Sequence, residues 1–397
     1  MDKLISRHIE LLRNTNLKFE RYAIDELPWN QRLLGIKGAR GVGKTTLLLQ
    51  YIKKTYGFNE SALYIKLDDV YFYDNKLIDL ADDFVSRGGK HLFIDEAHKY
   101  ANWAAELKNI YDYHPDLKVV FTGSSLLQIL TANADLSRRA LVYTLPGLSF
   151  REFLIMKTGQ FLPPFPLEDI LFDSVRIAVD INDKIIPLKY FDEYLRIGYF
   201  PFFNQEKHFF YQRLQEVVNL ILEVELPGLR KTGISKVHKL KQLLFIIAGS
   251  VPFQPNISAL ADKTQTSRKV ILEYIHHLKD ARILMPLYRN SHGVSLLQKP
   301  QKIFLENTNY IYLLAEKNAN KGNLRETFFL NQLSHGHAVT YAESGDFVVD
   351  ETYSFEIGGK NKSSRQIKNL DNAFLVSDDI ATGTKKRIPL WLFGFMY

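Results

Sequence analysis

The chain of 397 residues contains no cysteine. That absence excludes disulfides, thiolate zinc sites and cysteine nucleophiles together, and it agrees with a reducing compartment. Any metal must sit on oxygen or imidazole ligands. No apolar run approaches the roughly 18 residues that a membrane helix needs. The opening MDKLISRHIELLRN carries charges through its apolar positions, where a signal peptide would have an uninterrupted apolar block. A cytoplasmic protein with no membrane partner is the expectation. There is no internal repeat and no low-complexity tract. What is present, 46% hydrophobic and 24% charged residues, is a globular composition. The length fits roughly two to four domains of about 100 to 200 residues each.

The net charge of +7 is unevenly spread. Between Gly228 and Lys302 thirteen Lys/Arg face Asp262, Glu273 and Asp280 alone, an excess larger than the net charge of the whole chain. The basicity therefore belongs to one segment. Such a face is the electrostatic footprint of a nucleic-acid or acidic-protein partner, and a solvated surface that binds nothing is the alternative.

Residues 33 to 145 alternate short apolar runs with helical patterns: LLGIK, a helix from Gly43, ALYIKL, HLFID with a helix through Trp103, LKVVFTG and ALVYTL. Short runs separated by helices predict a parallel sheet buried on both faces. Residues 150 to 225 read mainly helical, broken at LPPFP (Leu162 to Pro166). From Ser235 to Leu305 short helices lead into a strand pair. A helix from Lys321 precedes several strands, which places a domain boundary near residue 310.

Gly38-Ala39-Arg40-Gly41-Val42-Gly43-Lys44-Thr45 matches G-x-x-x-x-G-K-[ST] between a strand and an apolar helix that continues with Thr46. Glycines at 38, 41 and 43 permit backbone angles that let successive N–H groups curl around phosphates. Lys44 would reach the β and γ oxygens, and the Thr45 hydroxyl would be a Mg²⁺ ligand. HLFIDE then ends a buried strand with two acids: Asp95 can hold the metal through water, and Glu96 can take a proton from the attacking water. ATP and Mg²⁺ are the ligands this pattern implies. Asp95-Glu96-Ala97-His98 does not make a helicase, because no second strand-helix lobe follows residue 150. In FTGSS, Thr122 and Ser124 could sense the γ-phosphate or simply cap a helix. Arg138 and Arg139 precede the last strand, where a guanidinium could reach a neighbouring subunit's γ-phosphate or make a surface ion pair.

The order GARGVGKTTLL, HLFIDEAHK, FTGSS, DLSRRALVYTLPGLSFREFL and FDEYLRIGYFPFF resembles a widespread prokaryotic family of AAA-type ATPases whose C-terminal half is a domain of unknown function. GLSFREFL (Gly147 to Leu154) is the most specific segment. The resemblance implies an α/β P-loop ATPase domain over 1–149, a helical lid over 150–230, a winged-helix module over 231–310 and an α+β, restriction-endonuclease-like domain over 311–397. The family's finger arginine is usually preceded by glycine, so Arg139 matches it better and Arg138 stands where the glycine would be.

NISALADKTQTSRKVILEYIHHLKDARILMPLYR supports the winged-helix expectation, with a first helix capped at Ser258, a turn at Thr264 to Thr266 and a second helix from Ser267. Val270, Ile271, Tyr274, Ile275 and Leu278 form an apolar stripe that leaves Arg268, Lys269, Glu273, His276 and Lys279 to solvent. Arg268, Lys269 and Lys279 are the candidate DNA contacts, with Glu273 opposing them, and ILMPLY and KIFL would flank a wing turning at His292-Gly293. In the tail, Glu326, Asp346 and Glu356 follow the acid order of the nuclease fold, but the lysine due two residues after Glu356 is Gly358, and Lys360 and Lys362 lie off the strand spacing. An inactive, nuclease-like binding domain is expected. The function implied is a Mg²⁺-dependent ATPase that switches C-terminal DNA- or protein-binding modules, with homo-oligomers open. The alternatives are an ATP-binding recognition scaffold with little turnover and an ATP-gated, metal-dependent nuclease.

Overall fold

Five apolar runs form a single parallel sheet: β1 (Leu33–Lys37), β2 (Ala62–Lys66), β3 (His91–Asp95), β4 (Lys118–Gly123) and β5 (Leu141–Thr144), in the order β2-β3-β4-β1-β5. The computed structural model describes residues 1–123, 136, 138–205, 207–227, 234–250, 252–289, 298–315, 320–368 and 370–397. Contacts divide the chain into two units, Met1–Gly147 and Leu148–Tyr397.

In the first unit, strands β1 to β4 are almost wholly buried, as continuous apolar runs in a parallel sheet require. Leu63, Ile65, Leu92, Ile94, Val119 and Phe121 pack with Leu107 and Ile110 of the helix Trp103–Tyr113. The strand order matters for the site. Because β4 lies between β1 and β3, the carboxyl ends of all three strands sit side by side, and the loops leaving them converge. The helix expected to run through Trp103 instead begins there. Glu96 adopts a left-handed backbone conformation (φ 53°), which ends β3 abruptly, and Ala97–Lys99 makes only one 3₁₀ turn first. A further helix, Leu77–Ser86, lies between β2 and β3 in the chain.

The second unit joins helices to a mixed sheet, β8 (Val339–Tyr341), β9 (Phe347–Val349), β10 (Tyr353–Gly358), β11 (Ala373–Ser377) and β12 (Arg387–Pro389), preceded by an antiparallel pair, β6 (Leu284–Leu287) and β7 (Lys302–Leu305). The GLSFREFL motif has a structural task in this unit. Ser149 and Glu152 form a reciprocal capping box at the start of the helix Phe150–Thr158. Ser149 Oγ and Arg151 Nε both donate to the main-chain oxygen of Tyr397, at 2.7 and 2.9 Å. Phe150 and Phe153 pack on Tyr194, and Tyr194 on Phe328.

Helices Ile257–Lys263 and Arg268–Asp280 precede β6. The first is capped two residues earlier than expected: the Asn256 side chain, not Ser258, accepts from the N–H of Ala259 at 3.1 Å. Ser267 caps the second, which buries Ile271, Tyr274, Ile275 and Leu278. No helix among the described residues is long and apolar enough to cross a membrane.

Candidate nucleotide site

The loop between β1 and the helix Lys44–Thr55 wraps by means of two left-handed glycines, Gly41 (φ 85°) and Gly43 (φ 95°). Gly38 is needed for a different reason. A Cβ there would stand 2.4 Å from the carbonyl oxygen of Leu145, so close approach rather than backbone angle selects glycine. Ala39 and Val42 are buried and anchor the loop, while Gly41 and Thr46 are exposed and Arg40 is half-buried. Arg21 braces the loop from beneath: its guanidinium donates to the carbonyls of Val42 (2.8 Å), Pro146 (3.0 Å) and Gly147 (2.9 Å). Sequence reasoning missed this residue because its partners are remote in the chain.

No side chain caps the helix that follows Gly43, and its first turn carries no acid. Its N–H groups and dipole thus favour an anion. The buried Lys44 ammonium curls back to the carbonyls of Gly38 and Ala39, at 2.9 and 3.0 Å. Turning outward, it would meet a phosphate at the mouth of the same loop.

Beside the loop, Asp95 gathers hydroxyls. Its Oδ2 accepts from Thr45 Oγ1 at 2.6 Å and from the Tyr64 hydroxyl at 2.8 Å, and its Oδ1 accepts from Thr122. Thr122 Oγ1 also accepts from the N–H of Glu96 at 3.1 Å, so one hydroxyl ties both acids. A hydroxyl has a single proton to donate, and that of Thr122 goes to Asp95. Tyr64 was not foreseen. Burial and the Asp95 carboxylate push its hydroxyl well above the usual tyrosine range, which keeps it a donor. His98, read earlier only as part of a tetrapeptide, lies with Nε2 3.4 Å from Glu96 Oε2. Burial, with Lys99, Lys44 and Arg40 nearby, lowers its pKa to about 4, so it is neutral at pH 7.

The oxygen ligands fit Mg²⁺: Thr45 and Asp95 offer a hydroxyl and a carboxylate 2.6 Å apart. Lys44, Thr45, Asp95, Glu96 and Thr122 thus come together at the carboxyl ends of neighbouring strands. Ser124 lies outside the described residues. Arg138 is exposed, and Arg139 makes a two-pronged ion pair with Asp112, at 3.0 and 3.1 Å. Both precede β5, whose first residue pairs with Leu34 at the start of β1, so they stand at the opposite end of the sheet from their own phosphate loop.

In the second unit, Arg268 and Lys269 are exposed in the first turn of the helix Arg268–Asp280, and Lys279 is exposed in its last. The wing turn at His292-Gly293 lies outside the described residues. The three tail acids do converge, in the company of two lysines. Lys302 Nζ lies 3.3 Å from Glu326 and 3.7 Å from Asp346, and Lys362 Nζ lies 2.5 Å from Glu356. Lys362 crosses the face of Gly358: a Cβ at Gly358 would meet its side chain at 2.5 Å. Lys362 thus reaches Glu356 from the following loop although it lies off the strand spacing. Burial raises the pKa of Glu326 and Glu356, and Lys302 and Lys362 respectively pull them back. No group of three or more potential metal-ligating side chains meets a metal-site geometry among the described residues.

A phosphate loop, an acid pair and a hydroxyl-bearing strand between them are the parts of a P-loop nucleotide-binding site. The family model described as an AAA domain matches residues 30–154. A search of curated proteins gives no match. Among solved structures, the chain is similar to a Walker-type ATPase of Pyrococcus abyssi (13% identity, 78% of this chain and 94% of that one, TM-score 0.39). It is also similar to AMPPCP-bound DnaA from Aquifex aeolicus (16% identity, 69% and 87% covered, TM-score 0.26) and to PCH-2 of C. elegans (16%, 39% and 45%, TM-score 0.25).

Proposed function

We propose that the chain is a Mg²⁺-dependent ATPase whose nucleotide state switches its C-terminal half between conformations. The observation that carries this reading is the convergence of Lys44, Thr45, Asp95 and Glu96 at the carboxyl ends of the strands beside an uncapped helix N-terminus. In this reading the loop amides and Lys44 bind the phosphates, and Thr45 and Asp95 hold the metal. Glu96, beside His98, takes the proton of the attacking water. Mg²⁺ supplies charge neutralisation on the β and γ phosphates. A neighbouring subunit offers Arg139. The basic helix Arg268–Asp280 is the part that touches DNA, through Arg268, Lys269 and Lys279, and a protein client is the other partner this surface fits. A cytoplasmic setting suits both.

The tail acids are read as a recognition domain rather than a nuclease. Two ammonium groups already lie among the three carboxylates, so a divalent cation would have to displace them.

Binding and turnover of ATP by the parent, Lys44→Ala and Glu96→Gln test the reading. Lys44→Ala should lose nucleotide binding. Glu96→Gln should keep ATP and lose about 100- to 10,000-fold in turnover. Parent-like turnover in Glu96→Gln would remove Glu96 as the base, and absent turnover in the parent would leave a nucleotide-binding scaffold.

A further inference from the structure

Asp95 is the last residue of β3, and its carboxylate is held from both neighbouring strands. Thr122 reaches it from β4 on one side. Tyr64 reaches it from β2 on the other, at 2.8 Å from Oδ2. The third donor, Thr45, comes from the phosphate loop's helix and lands on the same oxygen as Tyr64. These three bonds are not equivalent. A threonine that ligates a metal presents an oxygen lone pair to it and can keep its one proton on the carboxylate it faces. Thr45 would thus answer to the cation as well as to Asp95, whereas the bonds from Tyr64 and Thr122 answer to Asp95.

Thr122 has a second duty, because it also accepts from the N–H of Glu96. Tyr64 has a fixed place of its own. Its ring is buried in β2, and its main-chain N–H donates at 3.1 Å to Nδ1 of His8, on the helix Asp2–Asn14 that lies against this strand. A rigid ring, pinned at its backbone, delivers a hydroxyl to Oδ2.

We propose that Tyr64 is a positioning residue for the metal: it holds Oδ2 of Asp95 in the orientation that meets the cation together with Thr45. The proposal rests on the reading of Thr45 and Asp95 as the Mg²⁺ site. Partners of metal-bound carboxylates behave in this way generally, and removing one costs about 10- to 100-fold in metal affinity or activity.

The test is Tyr64→Phe in the full chain, which removes one oxygen and keeps the ring. The readout is binding of a fluorescent ATP analogue, titrated with MgCl₂ and compared with binding in EDTA. We expect unchanged affinity in EDTA and a half-saturating Mg²⁺ concentration raised at least about 10-fold. In an Asp95→Asn background the same substitution should produce no further shift. An unchanged Mg²⁺ midpoint in Tyr64→Phe overturns the proposal. So does a loss of metal-free affinity or of fold in Tyr64→Phe, or an equal shift with and without Asp95, since each shows a merely structural role. Failure of the underlying reading looks different: the parent itself would bind no nucleotide or would ignore Mg²⁺. Because the readout is binding, a parent that binds without turning over still decides the question.

Discussion

Replacing Arg139 with alanine should silence the ATPase, and mixing that variant with Lys44→Ala should bring activity back. The geometry forces this pairing. Leu141 of β5 sits beside Leu34 at the start of β1, whereas the phosphate loop leaves the other end of β1 and touches Leu145. The four residues of β5, at roughly 3.3 Å each, already span about 13 Å between Arg139 and that loop, beyond the reach of an arginine side chain. If Arg139 serves a γ-phosphate, it serves a neighbour's. It is held meanwhile by Asp112, in a pair whose side chains are 29% and 38% exposed. An exposed pair of this kind is worth at most about 1 kcal/mol, so breaking it costs no more than about five-fold. A finger contributes about 10³ to 10⁵ in turnover. Arg139→Ala should therefore lose at least about 1,000-fold with ATP affinity nearly intact, and Asp112→Ala should change turnover by less than about five-fold, upward. In the mixture, a Lys44→Ala subunit with no working site lends its intact finger to the intact site of an Arg139→Ala subunit. Steady-state phosphate release across protein concentrations measures all of this. A mixture as inactive as its components, beside an active parent, would refute the argument, as would parent-like turnover in Arg139→Ala.

Two further outcomes follow from the geometry. Burial lowers His8 to about 4, and burial with Lys118 nearby lowers His91 to about 3. Below the ordinary value of 6.5 the unfolded chain takes up protons that the folded chain refuses. Stability is thus complete above that pH and lost as pH falls toward the folded values, by about 1.4 kcal/mol per unit for each histidine. The thermal midpoint should fall between pH 7.5 and 5, and less steeply in His8→Gln, which keeps an acceptor for Tyr64; parallel slopes would remove His8 from the account. For the basic helix, DNA affinity should fall with a log-log salt slope near −3 to −4 if about four phosphates are contacted, and Arg268→Ala or Lys269→Ala should each flatten it by about one. Salt-insensitive or absent binding would leave that surface merely solvated.

What the sequence determined by itself are features written in contiguous residues. Gly38 to Thr45 spells the phosphate loop because phosphate binding there uses successive backbone amides. Runs such as HLFID reveal buried parallel strands because both faces are covered, and the acids Asp95 and Glu96 follow directly from the strand's end. The stripe of Val270, Ile271, Tyr274, Ile275 and Leu278 announced its helix through the same local logic, with Val270 alone of the five only half-buried. Tertiary structure decided what depends on which strand lies beside which. Tyr64 reads as one more apolar residue of ALYIK until β2 is placed next to β3, and only then does its hydroxyl find Asp95, 31 positions away. Arg21 reads as a surface charge until the chain returns Pro146 and Gly147 to it across more than a hundred residues. The same holds for Lys362, which spacing alone set aside because it is off the strand of Glu356. A long flexible side chain is not bound by strand spacing, and the absence of a Cβ at Gly358 opens the path it takes. Hydrogen bonds and ion pairs act over about 3 Å of space, and a sequence records only distance along the chain.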